Sequence, residues 1–115
     1  MLKRVLSCDA GELVISAISV AELRFGADKS RFKQKSHDAL DQFLWALDVD
    51  DFDERAATAY GVIRADLERR GTPIGPLDTL LAAQAVGHEL VLVTDNEREF
   101  RRVKQLKKVE NWLQA

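Results

Sequence analysis

The sequence predicts an α/β fold with a mostly parallel sheet. Two short β-branched runs, "LVIS" (13–16) and "VLVT" (91–94), have the character of strands buried on both faces. Segments with helical spacing of apolar residues separate them, and glycines, prolines and acids punctuate the seams. Ligands bind such sheets beyond the carboxyl ends of the strands, so polar residues falling there are the first to consider.

The opening "MLKRVLSCDAGE" lacks the apolar core of a signal peptide, so export is not expected. After "LVIS", Ser19 with Glu22 three residues later matches a capping box, predicting a helix from there toward Gly26. The polar stretch "ADKSRFKQKS" leads to a second helix striped by Ala39, Leu40, Phe43, Leu44 and Leu47. "LDVDDFD" alternates briefly before a run of acids, as a short edge strand does. A third helix starts at Asp53, with Ala56, Tyr60, Ile63 and Leu67 on one face and Arg69 and Arg70 at its carboxyl end, and Gly71 stops it. Residues 77–86 form an almost wholly apolar helix, which must be packed on nearly every side. "GHEL" turns into "VLVT", and the tail predicts a short helix over 97–103 and a last strand near Val109.

The 115 residues suit one domain spanning 1–115. A 46% hydrophobic, 31% charged composition with net charge −2 excludes disordered and fibrous classes and names no partner. No apolar stretch approaches the roughly 20 residues needed to span a bilayer. Cys8 is the only cysteine, which excludes an internal disulfide and a Cys-based zinc site and suits a reducing cytoplasm.

Three acids fall where strands end or helices begin: Glu22, Asp78 in "GTPIGPLDTLLAAQAV", and Asp95. Mg²⁺ takes a few carboxylate oxygens and keeps several waters, so acids gathered from separate elements can build a nuclease site. Each also has a structural role open to it. Glu22 can complete the capping box, Asp78 can complement the dipole of a helix that Pro76 begins, and Asp95 can cap the following turn. The basic cluster Arg98, Arg101, Arg102, Lys104, Lys107 and Lys108 can hold a phosphate backbone or simply face solvent. His37 and His88 are expected to be isolated in polar surroundings, with no catalytic role assigned, and Trp45 and Trp112 are expected as core anchors.

The strings "LVISAISVAELRFGADKS", "GTPIGPLDTLLAAQA" and "LVTDNEREFRRVKQLKKVENW", in this order, resemble the VapC toxins of the PIN-domain ribonuclease family. The resemblance runs from about Gly11 to Trp112. It implies a three-layer α/β/α fold and a Mg²⁺- or Mn²⁺-dependent endoribonuclease acting on RNA in the cytoplasm. It also implies homodimerisation and silencing by a VapB-type antitoxin whose tail enters the acidic cleft. The family's second acid matches Glu22 and its third Asp78. The fourth position falls on Asn96, with Asp95 one residue early, and Thr94 matches a small hydroxyl residue that lines the site.

Family members begin with a strand that supplies a first metal-binding aspartate, followed by a helix. Here "MLKRVLSC" resembles the end of that helix, so the central strand and the helix after it are expected to be missing. The strands "LVIS" and "VLVT" would then lose a hydrogen-bonding neighbour. Asp9, in a loop before "LVIS", is not expected to replace the aspartate. For the chain as written the resemblance therefore implies weak or no cleavage. The alternative is a non-catalytic module that binds an antitoxin or a full-length toxin.

Overall fold

The structure, a computed structural model, describes residues 6–9 and 12–111. In chain order the elements are β1 (Leu6–Asp9), β2 (Glu12–Ser16), α1 (Ala17–Lys29), α2 (Lys33–Trp45) and β3 (Asp48–Asp50). They continue with α3 (Glu54–Arg69), α4 (Pro76–Gly87), β4 (Val91–Val93), α5 (Glu97–Phe100) and β5 (Val109–Glu110). The five strands form one sheet in the order β3-β2-β1-β4-β5.

β2 and β3 pair in parallel, as do β4 and β5, whereas β1 runs antiparallel to both of its neighbours. Four strands therefore point one way and the central one is reversed. This corrects two expectations. "LSCD" is a strand and not the end of a helix, and β2 and β4 keep a neighbour, because Leu6 pairs with both Ile15 and Val93. Only Ala10 and Gly11 separate β1 from β2, a connection that admits an antiparallel hairpin but is far too short for a parallel crossover. The pairing satisfies backbone groups that two buried strands would otherwise leave open.

Alternate residues of the buried strands serve opposite layers. Val14 and Leu92 face a core made with Ile63, Leu67, Leu81, Phe100 and Val103. Ile15 and Val93 join Leu13, Val20, Leu23, Leu44 and Leu47 beneath α1 and α2. This period-two division is why "LVIS" and "VLVT" are apolar up to their terminal Ser16 and Thr94. β3 lies at the sheet edge, as its acids predicted.

α1 opens three residues earlier than the capping-box reading. Ser16 is its N-cap, accepting from the Ile18 N–H at 3.0 Å, and the helix continues past Gly26 to Lys29. Ser19 is buried within the first turn, and Glu22 is the sixth helical residue and so no part of a cap. α3 is capped by Asp53, whose Oδ1 accepts from the Ala56 N–H at 3.1 Å. It ends where Gly71, at φ 70°, lets the Gly71 and Thr72 N–H groups return to the carbonyls of Glu68 and Leu67.

α3 packs along α4, and the two backbones come close at Gly87. A Cβ there would stand 2.8 Å from the Arg55 carbonyl oxygen and 2.9 Å from the Ala56 nitrogen. Arg55 reaches across to donate from Nε and Nη2 to the Gly87 carbonyl, at 3.1 and 2.7 Å. At the other end of α3, buried Asp66 binds Arg69, Arg70 and Lys104. The Arg70 hydrogen bond holds its carboxyl below the usual range despite burial.

Trp45 is 88% exposed, against the expectation of a core anchor. It is the last residue of α2 and does not join Leu44 and Leu47 in the core. Trp112 lies outside the described residues. No described helix is long and apolar enough to cross a membrane.

Candidate functional site

α4 begins with Pro76 at its first position, where the missing N–H costs nothing, and Asp78 lies in its first turn. Gly75, the N-cap, has no side chain to give. Its carbonyl instead accepts from both the amide and the hydroxyl of Thr79, each at 2.9 Å. Asp78 is thus held in a rigid first turn, at the end of the helix dipole that favours an anion.

α5 brings a second carboxylate to the same place. Glu99 Oε1 lies 3.5 Å from the Gly75 amide nitrogen. A Cβ added at Gly75 would sit 3.6 Å from Asp78 Oδ2 and 3.9 Å from Glu99 Oε1, so one small space borders both carboxylates. Sequence reading passed over Glu99 because it stands inside a basic run. Its isolation as the one acid among those cations was the available signal.

The other expected residues are distributed around this pair. Thr94 is buried at the end of β4, tied to β5 through its N–H to the Glu110 carbonyl, and its hydroxyl accepts from the Asn96 N–H at 3.0 Å. Thr94, and not Asp95, therefore closes the turn before α5. Asp95 is exposed and borders an open recess with Asn96, Arg98 and Asn111. Glu22 borders a recess between α1 and α2, beside Ser30 and Ser36. Among the described residues, no three His, Cys, Asp or Glu side chains gather closely enough to hold an ion alone. The donor set at Gly75 fits Mg²⁺ or Mn²⁺ held by two carboxylates, with water and phosphate oxygens completing six ligands, and does not fit an all-protein cage. Asp9 does end a strand, but that strand is reversed. It pairs with Glu12, the first residue of β2, and so lies at the far end of the sheet from Thr94.

His88 is not isolated. Its side chain, 10% exposed, lies between Asp50 Oδ2 at 2.6 Å from Nδ1 and Asp53 Oδ1 at 2.7 Å from Nε2. Carboxylates only accept, so an imidazole bonded to both must carry two protons. Burial lowers the His88 pKa, but the hydrogen bonds to Asp53 and Asp50 outweigh it and raise the value above the ordinary 6.5. Stability from a raised folded pKa is complete below the unfolded value and is lost as pH rises through the folded one. Thermal melts should therefore show a gap between wild type and His88→Gln that is widest just below pH 6.5 and narrows toward pH 9. A gap constant over that range would contradict the doubly bonded imidazolium.

Much of the basic cluster has structural work. Arg101 pairs with Glu97, Lys104 with Asp66 and Lys108 with Glu110, while Arg102 donates to the Pro73 carbonyl. Arg98 and Lys107 are exposed, and among the described residues neither makes a hydrogen bond or ion pair.

The PIN domain family model matches residues 2–106. The tRNA(fMet)-specific endonuclease VapC of Shigella flexneri is 41% identical over 102 residues, covering 89% of this chain and 76% of that protein. Ribonuclease VapC2 of Rickettsia felis is 40% identical over 100 residues, 87% of this chain and 74% of that one. Among solved structures, VapBC2 from Rickettsia felis bound to a promoter DNA fragment aligns with a TM-score of 0.83 at 40% identity, covering 86% of this chain and 74% of the other. VapBC-1 from nontypeable Haemophilus influenzae aligns with a TM-score of 0.85 at 31% identity, covering 93% and 79%. With its sheet sandwiched between helices and its acids at the start of α4, the chain belongs to the PIN-domain family and is a relative of the VapC ribonucleases.

Proposed function

We propose that the chain is the toxin of a VapBC-type toxin–antitoxin pair, an endoribonuclease dependent on Mg²⁺ or Mn²⁺. The observation that carries this is the meeting of Asp78 and Glu99 at the side-chain-free Gly75 in a PIN-domain chain. Asp78 and Glu99 would hold the ion, with Glu22 and Asp95 as the further acids and Thr94 and Asn96 shaping the turn beside them. A bound divalent ion activates water and steadies charge on the phosphodiester oxygens during in-line attack. The carboxylates fix the direction from which a phosphate approaches, and Gly75 leaves room for it.

Arg98 and Lys107 are the cations best placed to bind RNA backbone. Arg98→Ala should weaken RNA binding and lower the slope of log affinity against log salt by roughly 0.7, the single-strand value for one phosphate contact. An unchanged slope would remove Arg98 from the interface. A tRNA pool is the first substrate to try, given the specificity named for the Shigella relative. A VapB-type antitoxin is the partner, as in the solved VapBC complexes. The exposed Phe25, Phe32 and Trp45 of the α1–α2 hairpin offer it an apolar face. Homodimerisation and action in the cytoplasm complete the reading.

The test is incubation of the purified chain with tRNA. Only weak cleavage is expected with Mn²⁺, since the family's first aspartate has no counterpart among the described residues at the site, and none with a chelator; RNA left intact at saturating Mn²⁺ would overturn the enzyme. A second reading has one observation in its favour: the central strand is reversed, with Asp9 at the far end of the sheet. The chain would then bind an antitoxin or another toxin without cutting. A stable complex with a VapB-like antitoxin, without growth arrest when the chain is expressed alone, would favour it.

A further inference from the structure

The helices carrying Glu22 and Asp78 are joined by a buried amide. Gln84, in the middle of α4, is 2% exposed. Its Oε1 accepts from the Ser16 hydroxyl at 2.6 Å, and Ser16 is the N-cap of α1. Its Nε2 donates both to the Asp50 carbonyl at 2.6 Å and to Asp50 Oδ2 at 2.7 Å. The two Asp50 bonds fix which end of the amide carries hydrogens, so Oε1 must face Ser16.

Ser16 is saturated in turn. Its hydroxyl donates to Gln84 while accepting from the Ile18 N–H, so one oxygen both starts α1 and ties it to α4. On the far side His88 Nδ1 donates to the same Asp50 oxygen, and Asp53, the cap of α3, accepts from Nε2 at the other edge of the ring. Buried hydrogen bonds of this kind admit one arrangement of the elements they join, because each unmade bond leaves a desolvated polar atom.

We infer that Gln84 is a positioning residue. Through Ser16 and Asp50 it sets the placement of α1, with Glu22, against α4, with Asp78, and so how far the further acid Glu22 stands from the ion proposed at Asp78 and Glu99. It touches neither the ion nor RNA. The inference rests on the function proposed above, and it adds a role for residues outside the acid cluster.

Mn²⁺ titration by calorimetry tests it, with tRNA cleavage as a second readout. Gln84→Leu removes both arms and should lower Mn²⁺ affinity about tenfold, the lower end of the effect of outer-shell partners on metal affinity. Ser16→Ala removes the α1 arm together with the cap on the Ile18 N–H and should do the same, which covers the case that Gln84→Leu does not fold. Arg55→Ala is the control. It loosens α4 at its carboxyl end through the lost bonds to Gly87 and leaves the Ser16–Gln84 bond alone. It should lower the melting temperature without changing Mn²⁺ affinity.

Affinity falling with melting temperature in all three variants would make Gln84 merely structural and overturn the inference. Unchanged affinity in a folded Gln84→Leu or Ser16→Ala protein beside a wild type that binds Mn²⁺ would overturn it alone. A wild type that takes up no Mn²⁺ and spares RNA would overturn the proposed function and this inference together.

Discussion

Asp78→Asn should abolish metal-dependent RNA cleavage, lowering the rate by about 100-fold or more, the scale on which one preorganised electrostatic group acts. Asparagine keeps the size and one oxygen of the side chain but removes the charge that holds a divalent ion. The first turn of α4 should survive, because its anchors are Pro76 and the two bonds from Thr79 to the Gly75 carbonyl. Melting temperature should therefore stay close to wild type while activity falls. Glu99→Gln should act in the same direction, since Glu99 borders the same space from α5. Cleavage assays across a Mn²⁺ series would check both. Wild-type rates in Asp78→Asn would place the chemistry elsewhere.

Gly87→Ala should be the most damaging glycine-to-alanine change among the described glycines. The added Cβ would meet backbone atoms of Arg55 and Ala56 at 2.8–2.9 Å, and backbone cannot rotate away as a side-chain tip can. α3 and α4 would have to separate, disturbing the core around Ile63 and Leu81 and the Arg55 cap on the Gly87 carbonyl. Overpacking of this kind costs about 2–3 kcal/mol, which for a domain of this size lowers the melting temperature by roughly 10 °C. Gly61→Ala is the comparison, since a Cβ there meets nothing within 4 Å and lies in a helix, so stability should be unchanged or slightly raised. Melts of the two variants side by side would separate close approach from helix propensity.

Much of this architecture is written locally. "LVI" and "VLV" had to be buried on both faces because nothing in them is polar enough to face water. The residue pattern from Asp53 to Gly71 carries its cap, its stripe and its stop in order, and the structure reproduces all three. Pro76 and Asp78 marked the start of α4 for reasons that hold within one turn. The capping box at Ser19 failed because two serines compete to start one helix. Ser16 takes the cap by accepting from the Ile18 N–H, and its hydroxyl also reaches Gln84, 68 residues away, a contact no local pattern contains.

The same division runs through the site. By itself the sequence determined the helices and every strand but β1, that the family is the PIN domain, and that Glu22, Asp78 and Asp95 fall near element ends, since these follow from periodicity, capping chemistry and recurring strings. Only the tertiary structure decided the rest. It filled the centre of the sheet with a reversed hairpin strand, set Glu99 beside Asp78, sent Asp95 to an open recess, and bound His88 between two carboxylates. Each of these depends on pairs distant in sequence, and their energies come from burial and hydrogen bonding across elements rather than from any preference of the residues alone.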